Sequence, residues 1–561
     1  MTPAFLPKAF VLCAAIGVGL MPGPERQAAG PAPAETIFSG RFVTLDVDHP
    51  NADAIAVRAG RIVAVGSRAE TERFRGPSTT LVAVTGVAVP GLADAHAHPQ
   101  SYGELLESID LHGLTKGEIL ARVAARVRRG AAGEWIRGTG WDQGHWQPPE
   151  FPTAADLDRV APNHPVLLDR IDEHAIWVNS AALRAAGVSA ATPDPPGGRI
   201  HRDGSGRPTG ILLDRAASLV SRAVPAATPA QSERRLRAAV AQYAAWGLTS
   251  VHDAQASRTT IALYRKLLAE GQLPVRIYVM AYGQGDLLAE TLARGPEIGL
   301  GDGRLTIRSF KIVLDGALGS RGAQLAESYA DAPDEHGLET TTDEAFRTLI
   351  RSATARGFQV SAHAIGDRAV RRALDGFEAS GPDVRERRFR IEHASVIDPR
   401  DRPRFASLGV IASMQPMFVG EYSRWADARV GAARASWVLP IKSMLEAGAI
   451  VPFGTDYPAA DSGDPVLNLF AAVTRRGWDG RPAAGWHTSE RVDVMTALRS
   501  LTLAPAFAAF EEKDLGALTV GRYADFTALS DDPRTIDADA LRALKVRMTV
   551  VGGHIVYRAD R

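Results

Sequence analysis

The chain has 561 residues, 45% of them hydrophobic and 23% charged, and 64 Lys and Arg balance 64 Asp and Glu for a formal net charge of +0. That length exceeds one ordinary domain and predicts two or more packed units. Balanced charge without a basic patch or reader motif excludes a nucleic-acid role, and the lack of a second long apolar run excludes a transmembrane protein.

The N-terminus carries Lys8, the apolar run Ala9–Leu20 and a Pro/Gly/Ala-rich stretch, which together read as a signal peptide and leader over residues 1–34. The expected destination is the periplasm or the exterior, with no membrane span after leader removal. Cys13, the only cysteine, lies inside the apolar run, so the mature chain is expected to hold no disulfide.

From Thr36 to Val89 short β-type runs alternate with turns, and Ala524–Leu529 and Val546–Tyr557 repeat that flavour at the far end. Two β-rich ends predict one small β-sandwich domain built from residues 35–88 and 510–561. Residues 89–509 alternate apolar β runs with amphipathic stretches such as Lys116–Arg129 and Thr342–Arg356, the pattern of a (β/α)8 TIM-type barrel. Nine candidate strands, Val87–Ala93, Val166–Asp169, Thr249–Asp253, Val275–Met280, Leu305–Leu314, Gln359–Ala362, Phe389–Ile391, Val410–Met414 and Ile450–Gly454, are one too many for such a barrel. Val166–Asp169 is assigned to an inserted subdomain after the first barrel strand, over residues 130–215, with a β-hairpin turning at Asp203-Gly204.

Chemistry-bearing residues sit at the ends of these runs. The first strand ends in His96-Ala97-His98, and alternate side chains of a strand share a face, so both imidazoles can hold one metal ion. Lys311 lies within an apolar strand, where an unpartnered ammonium is costly. Either it pairs with a carboxylate such as Asp315, or it carries a CO2-derived carbamate able to bridge two metals; the sequence leaves both open. His363, His393 and Asp456 end further strands and fit first-row metal ligation. Catalytic residues of such barrels gather at the C-terminal ends of the strands, and all six candidates lie at that end or within the strand.

The order His-x-His, Lys, His, His, Asp on successive strands, with a β domain split between the termini, resembles the metal-dependent amidohydrolase superfamily. Pro90–His98, Gly140-Trp141-Asp142, Asp172–Ser180, Asp315–Arg321 and Phe453–Asp456 are similar to its amidohydrolase 3 (YtcJ-like) branch, which includes N-substituted formamide deformylases. The resemblance implies that His96 and His98 bind one metal, His363 and His393 another, and a carboxylated Lys311 bridges them. Asp456 would touch the metal and act as general base, with zinc, one or two ions, as the cofactor. It implies hydrolysis of a non-peptide C–N bond in a small amide-type substrate.

His174 and Arg321 are candidate additional electrophiles. Trp141, Trp146, Trp177 and the segment Tyr422–Trp425 are candidates for an aromatic substrate pocket, with core packing as the alternative for each. Rival readings are a mononuclear deaminase-type enzyme, an ester, lactone or carbamate hydrolase, and a non-catalytic exported binding protein. The last should have lost a ligand, and none is missing. Homodimer formation is left open.

Overall fold

The computed structural model describes residues 31–129 and 133–559; the apolar run of the expected leader, with Cys13, lies outside them. Seven parallel strands, Leu92–Ala97, Leu248–Ala256, Arg276–Tyr282, Leu305–Val313, Gln359–Ala364, Arg390–His393 and Ile411–Ser413, pair in chain order. Residues 450–454 fill the gap between the first and the seventh. Ala412 N–H donates to the Ile450 carbonyl at 3.0 Å and Met414 N–H to that of Pro452 at 3.1 Å, while Ala95 N–H donates to that of Phe453 at 3.0 Å. The edges of the sheet thus meet in a TIM-like barrel. Its strands read as near-continuous apolar runs because helices cover the outer face. Thr342 caps one of them, Asp343–Thr354, whose apolar stripe Phe346, Leu349, Ile350 and Ala353 is buried.

The first strand differs from expectation. Thr80–Pro90 belongs to the terminal sheet, and the barrel strand is Leu92–Ala97. The break falls at Gly91, where a Cβ would come 2.1 Å from Thr249 Oγ1, so only glycine lets the chain pass from one sheet to the other here.

The two ends of the chain share one mixed seven-stranded sheet. In it Phe526–Leu529, from the C-terminal part, pairs antiparallel with Thr80–Pro90 from the N-terminal part. Phe526 packs edge-on against Phe38 and Phe42, with ring centroids 5.0 and 5.5 Å apart, which joins the two ends through one apolar core.

A six-stranded sheet follows the first barrel strand in sequence. Ile109–Asp110, Ile136–Trp141 and Val166–Arg170 run parallel, and Ala175–Val178, Pro208–Asp214 and Gly198–Arg202 complete it antiparallel. The ninth candidate strand therefore belongs to this sheet and not to the barrel. The sheet already begins at Ile109, because a two-residue strand was too short to read from its pattern.

Candidate functional site

Strand ends and one clamp bring the polar residues together at the mouth of the barrel. Asp94, fully enclosed, accepts from His96 N–H at 3.0 Å and from Thr455 N–H and Oγ1–H at 3.0 and 2.5 Å. This fastens the end of the first strand to the segment that closes the barrel. Asp456 N–H then donates to the His96 carbonyl at 2.6 Å, and His98 N–H to that of Tyr457 at 3.0 Å. Gly454 makes the approach possible, since a Cβ there would lie 2.6 Å from the His96 nitrogen. His393 and Asp456 leave their strands with φ of 75° and 64°. Such left-handed backbone costs about 1–3 kcal/mol at a non-glycine residue and clusters at functional sites.

The side chains converge in consequence. His96 Nε2 lies 3.2 Å and His98 Nε2 3.0 Å from Asp456 Oδ1. His96, His98 and Asp456 offer three ligand atoms within 4.8 Å of one another, a donor set that could hold a metal ion. The His393 ring is 4.7 Å from that of His96 and 4.5 Å from that of His363. His363 Nε2 is buried, lies 3.6 Å from Asp315 Oδ1 and has no hydrogen-bond partner among the described residues, which leaves it available to a ligand. Lys311 Nζ points into the same group, 3.1 Å from His96 Nε2.

Electrostatics sort these groups by charge. Burial, reinforced by neighbouring cationic groups, pushes His363 and His393 well below the usual imidazole range and keeps them neutral, the ligating form. Burial opposes charge on Asp456, but His393 and His96 outweigh it and hold its carboxyl well below the usual range. Burial pushes Lys311 down to about 8, against the pull of Glu392 and Asp456.

Asp315 does not serve as the partner of Lys311. It accepts backbone N–H groups of Gln324, Ile365 and Gly366 at 2.8–3.0 Å and ties a loop to the barrel.

Several supporting residues escaped sequence reasoning. His96 Nδ1 meets Glu392 Oε2 at 2.5 Å, which orients the ring and leaves Nε2 toward Asp456 and Lys311. Arg390 Nε donates to Glu392 Oε1 at 2.7 Å, and its Nη2 donates to the Ala95 carbonyl at 2.7 Å. Burial works against a charged Glu392, but Arg390 and His96 hold its carboxyl well below the usual range. A signal existed, because Arg390 and Glu392 are alternate residues of an apolar strand and so share a face. Gln415 meets His393 Nδ1 at 3.0 Å.

A cavity of about 310 Å³ opens over the cluster. His174 faces it from the insert, with its ring 5.2 Å from that of His363. Its Nδ1 meets Asp214 Oδ1 at 2.6 Å. Burial disfavours charge on His174, but Asp214 dominates and raises it to about 9.

The remaining candidates lie elsewhere. Arg321 is absent from the cavity wall and pairs with Asp331 at 2.9 Å. Trp141, Trp146 and Trp177 are likewise off the wall, packed on one another with centroids 6.1–6.3 Å apart. Each indole N–H is satisfied inside the insert, by the carbonyls of Leu168, Leu114 and Thr153, so these rings form the insert's core. The aromatic wall comes from Tyr422, within the candidate segment, and from Phe418 and Tyr282.

Comparison with known proteins agrees with this arrangement. Residues 85–557 match the amidohydrolase family. An amidohydrolase-like protein of Bacillus subtilis (strain 168), YtcJ, is 35% identical over 534 residues, covering 93% of this chain and 99% of its own. The N-substituted formamide deformylase of Arthrobacter pascens is 30% identical over 548 residues, covering 93% of this chain and 98% of its own. Among solved structures, an uncharacterized metal-dependent hydrolase from Pyrococcus horikoshii superposes with a TM-score of 0.74 at 26% identity, covering 90% of this chain and 99% of that one.

Proposed function

This chain belongs to the amidohydrolase family, and we propose that it hydrolyses a non-peptide C–N bond, of the amide or formamide type, in a small substrate. The convergence of His96, His98 and Asp456 within 4.8 Å at the mouth of a barrel carries the reading. The similar deformylase from Arthrobacter pascens favours the formamide bond.

The donor set fits a divalent ion of the zinc type. It combines neutral imidazoles with a carboxylate, an oriented His96 and an unpartnered His363 Nε2. His96, His98 and Asp456 would hold one ion, with His363 and His393 available for a second. Such an ion makes water acidic near neutral pH and polarises a carbonyl.

The chain's own groups supply the rest. Asp456 takes the proton of the attacking water on its carboxylate and delivers it to the departing nitrogen. His174, kept protonated by Asp214, donates toward the carbonyl oxygen as negative charge develops there. Near its shifted range Lys311 presents a free amine, which can add to CO2, release a proton and become an anionic carbamate; in that form it would offer oxygen ligands to the metal site. A Lys311→Ala variant should lose metal and regain part of its activity with short carboxylic acids. Failure of every acid would leave Lys311 an ordinary lysine and favour a single ion.

The test of the function is to remove metal from the purified chain with a chelator, then assay N-formyl and N-acyl amines before and after adding zinc. Turnover lost and restored supports the reading, whereas hydrolysis of esters or lactones alone would move the bond class. The N-terminal charge and apolar run of the sequence further support export of the mature enzyme to the periplasm or beyond.

A further inference from the structure

The cavity has a second polar feature, away from the donor set. Phe418 stacks on His393, with centroids 6.1 Å apart and planes 8° from parallel, and Tyr422 stacks on Phe418 at 5.2 Å. The two stacked rings make a shelf in the cavity wall, and both line the cavity. Glu421, next to Tyr422 in the chain, also lines the cavity, although only 4% of the residue is exposed. Its Oε1 is buried, has no hydrogen-bond partner among the described residues, and stands 3.6 Å from Arg170 Nη1. That guanidinium is already engaged at 2.6 Å by both Asp142 and Asp172. Arg170 is thus shared, and Glu421 has the longest of its three carboxyl contacts, which leaves that buried oxygen open to a further positive partner.

The rest of the wall has the same sign. Besides Asp456 it carries Asp172, Glu173, Asp214 and Glu421, five carboxyls against Arg215, Lys311 and the protonated His174. Asp214 is engaged by His174. Burial pushes the Glu421 carboxyl well above its usual range, and Asp142 and Asp172 add to the effect against Arg170. An incoming cation would reverse that penalty. Aromatic rings beside a buried carboxyl oxygen that accepts no hydrogen bond form the chemistry that receives an organic ammonium.

We propose that the part of the substrate remote from the scissile bond is an organic cation, a protonated amine, which lies on the Phe418–Tyr422 shelf and pairs with Glu421. This rests on the amide-hydrolase reading for the placement of the scissile bond, but amine binding can be measured separately.

The experiment is titration calorimetry of the metal-loaded full chain with n-hexylammonium and, separately, with n-hexanol at the same pH and salt. The ammonium should bind about tenfold more tightly or better, the size of a desolvated cation–aromatic contact with an ion pair. In Glu421→Gln the gap should shrink to about threefold or less. Equal affinities in the wild type, or a preference for the alcohol, would overturn the proposal without help from any variant. A gap unchanged in Glu421→Gln would also overturn it. In parallel, the mono-N-formyl derivative of 1,6-diaminohexane and N-formylhexylamine are offered as substrates. If the ammonium binds selectively but neither amide is cleaved, the hydrolase reading has failed and the cation site stands. If both are cleaved with equal kcat/KM and the ammonium shows no preference, the cation site has failed and the hydrolase stands.

Discussion

Two buried arginines separate the barrel from its insert. Arg390 in the barrel and Arg170 in the insert are 0% and 1% exposed; Arg390 pairs with Glu392, and Arg170 with Asp142 and Asp172. Around Arg390 all three guanidinium nitrogens have close partners, and the network ends in the Glu392–His96 pair. Around Arg170 the three nitrogens are likewise engaged, by Gln143, Asp172 and Asp142, but the network ends on Glu421 Oε1, which accepts no hydrogen bond among the described residues. A satisfied network fixes geometry in advance, whereas an unsatisfied one in a low-dielectric wall is stabilised by an arriving partner. The first suits a site that must hold its donors still, and the second suits one that must recognise something.

That contrast breaks most severely at the donors themselves. His96→Ala or Asp456→Asn should lower turnover on the order of 10³-fold or more, while circular dichroism still reports a folded chain. Near-native activity in either variant would remove the site from the barrel mouth.

One step back in the closed network, Glu392→Gln should weaken metal binding by roughly 10–100-fold, the usual consequence of losing a carboxylate behind a ligating imidazole. Competition with a chromogenic chelator measures it. Arg390→Met leaves Glu392 without its cation and should cost about 3–5 kcal/mol in urea unfolding, as for other broken buried pairs. An unchanged midpoint would show that the network is not closed after all.

The His174–Asp214 pair faces the same cavity from the insert. Because His174 is raised to about 9, its charged form contributes stability that is complete below its unfolded pKa of about 6.5 and is lost as pH rises through 9. Turnover that depends on the imidazolium should hold to that pH and then fall. Asp214→Asn should move the alkaline limb down toward about 6.5, read from a kcat/KM profile. A limb that stays in place would leave Asp214 with a structural role alone.

The smallest effect on chemistry is expected at the insert's core. Trp177→Leu should destabilise the chain by about 1–3 kcal/mol and leave the ranking of substrates unchanged. A changed ranking would return the tryptophans to the pocket.

Much of this was legible in the sequence, for physical reasons. Apolar runs closed by His, Lys and Asp mark barrel strands, because a strand buried on both faces has no polar alternation and its end is where polarity returns. The excess strand Val166–Arg170 was separable because the hairpin at Asp203-Gly204 lies nearby in sequence. The boundary at Gly91 was not legible. Val87–Ala93 is one continuous apolar run, and only tertiary pairing shows that it changes sheets there. The tryptophans misled because bulk and aromaticity suit a pocket and a core equally; the acceptors of their N–H groups lie up to 32 residues away. Glu421 carried no signal either, since a lone glutamate looks solvated until the fold buries it.

The most direct measurement is metal content per chain, by elemental analysis of the purified protein before and after chelation, with amide turnover followed on the same samples. At least one zinc-type ion per chain, removed and restored together with turnover and missing from His96→Ala, is the predicted result. A chain that takes up no metal under any loading condition, or that cleaves amides equally well without it, would contradict the assignment of the barrel mouth as a metal-dependent hydrolase centre.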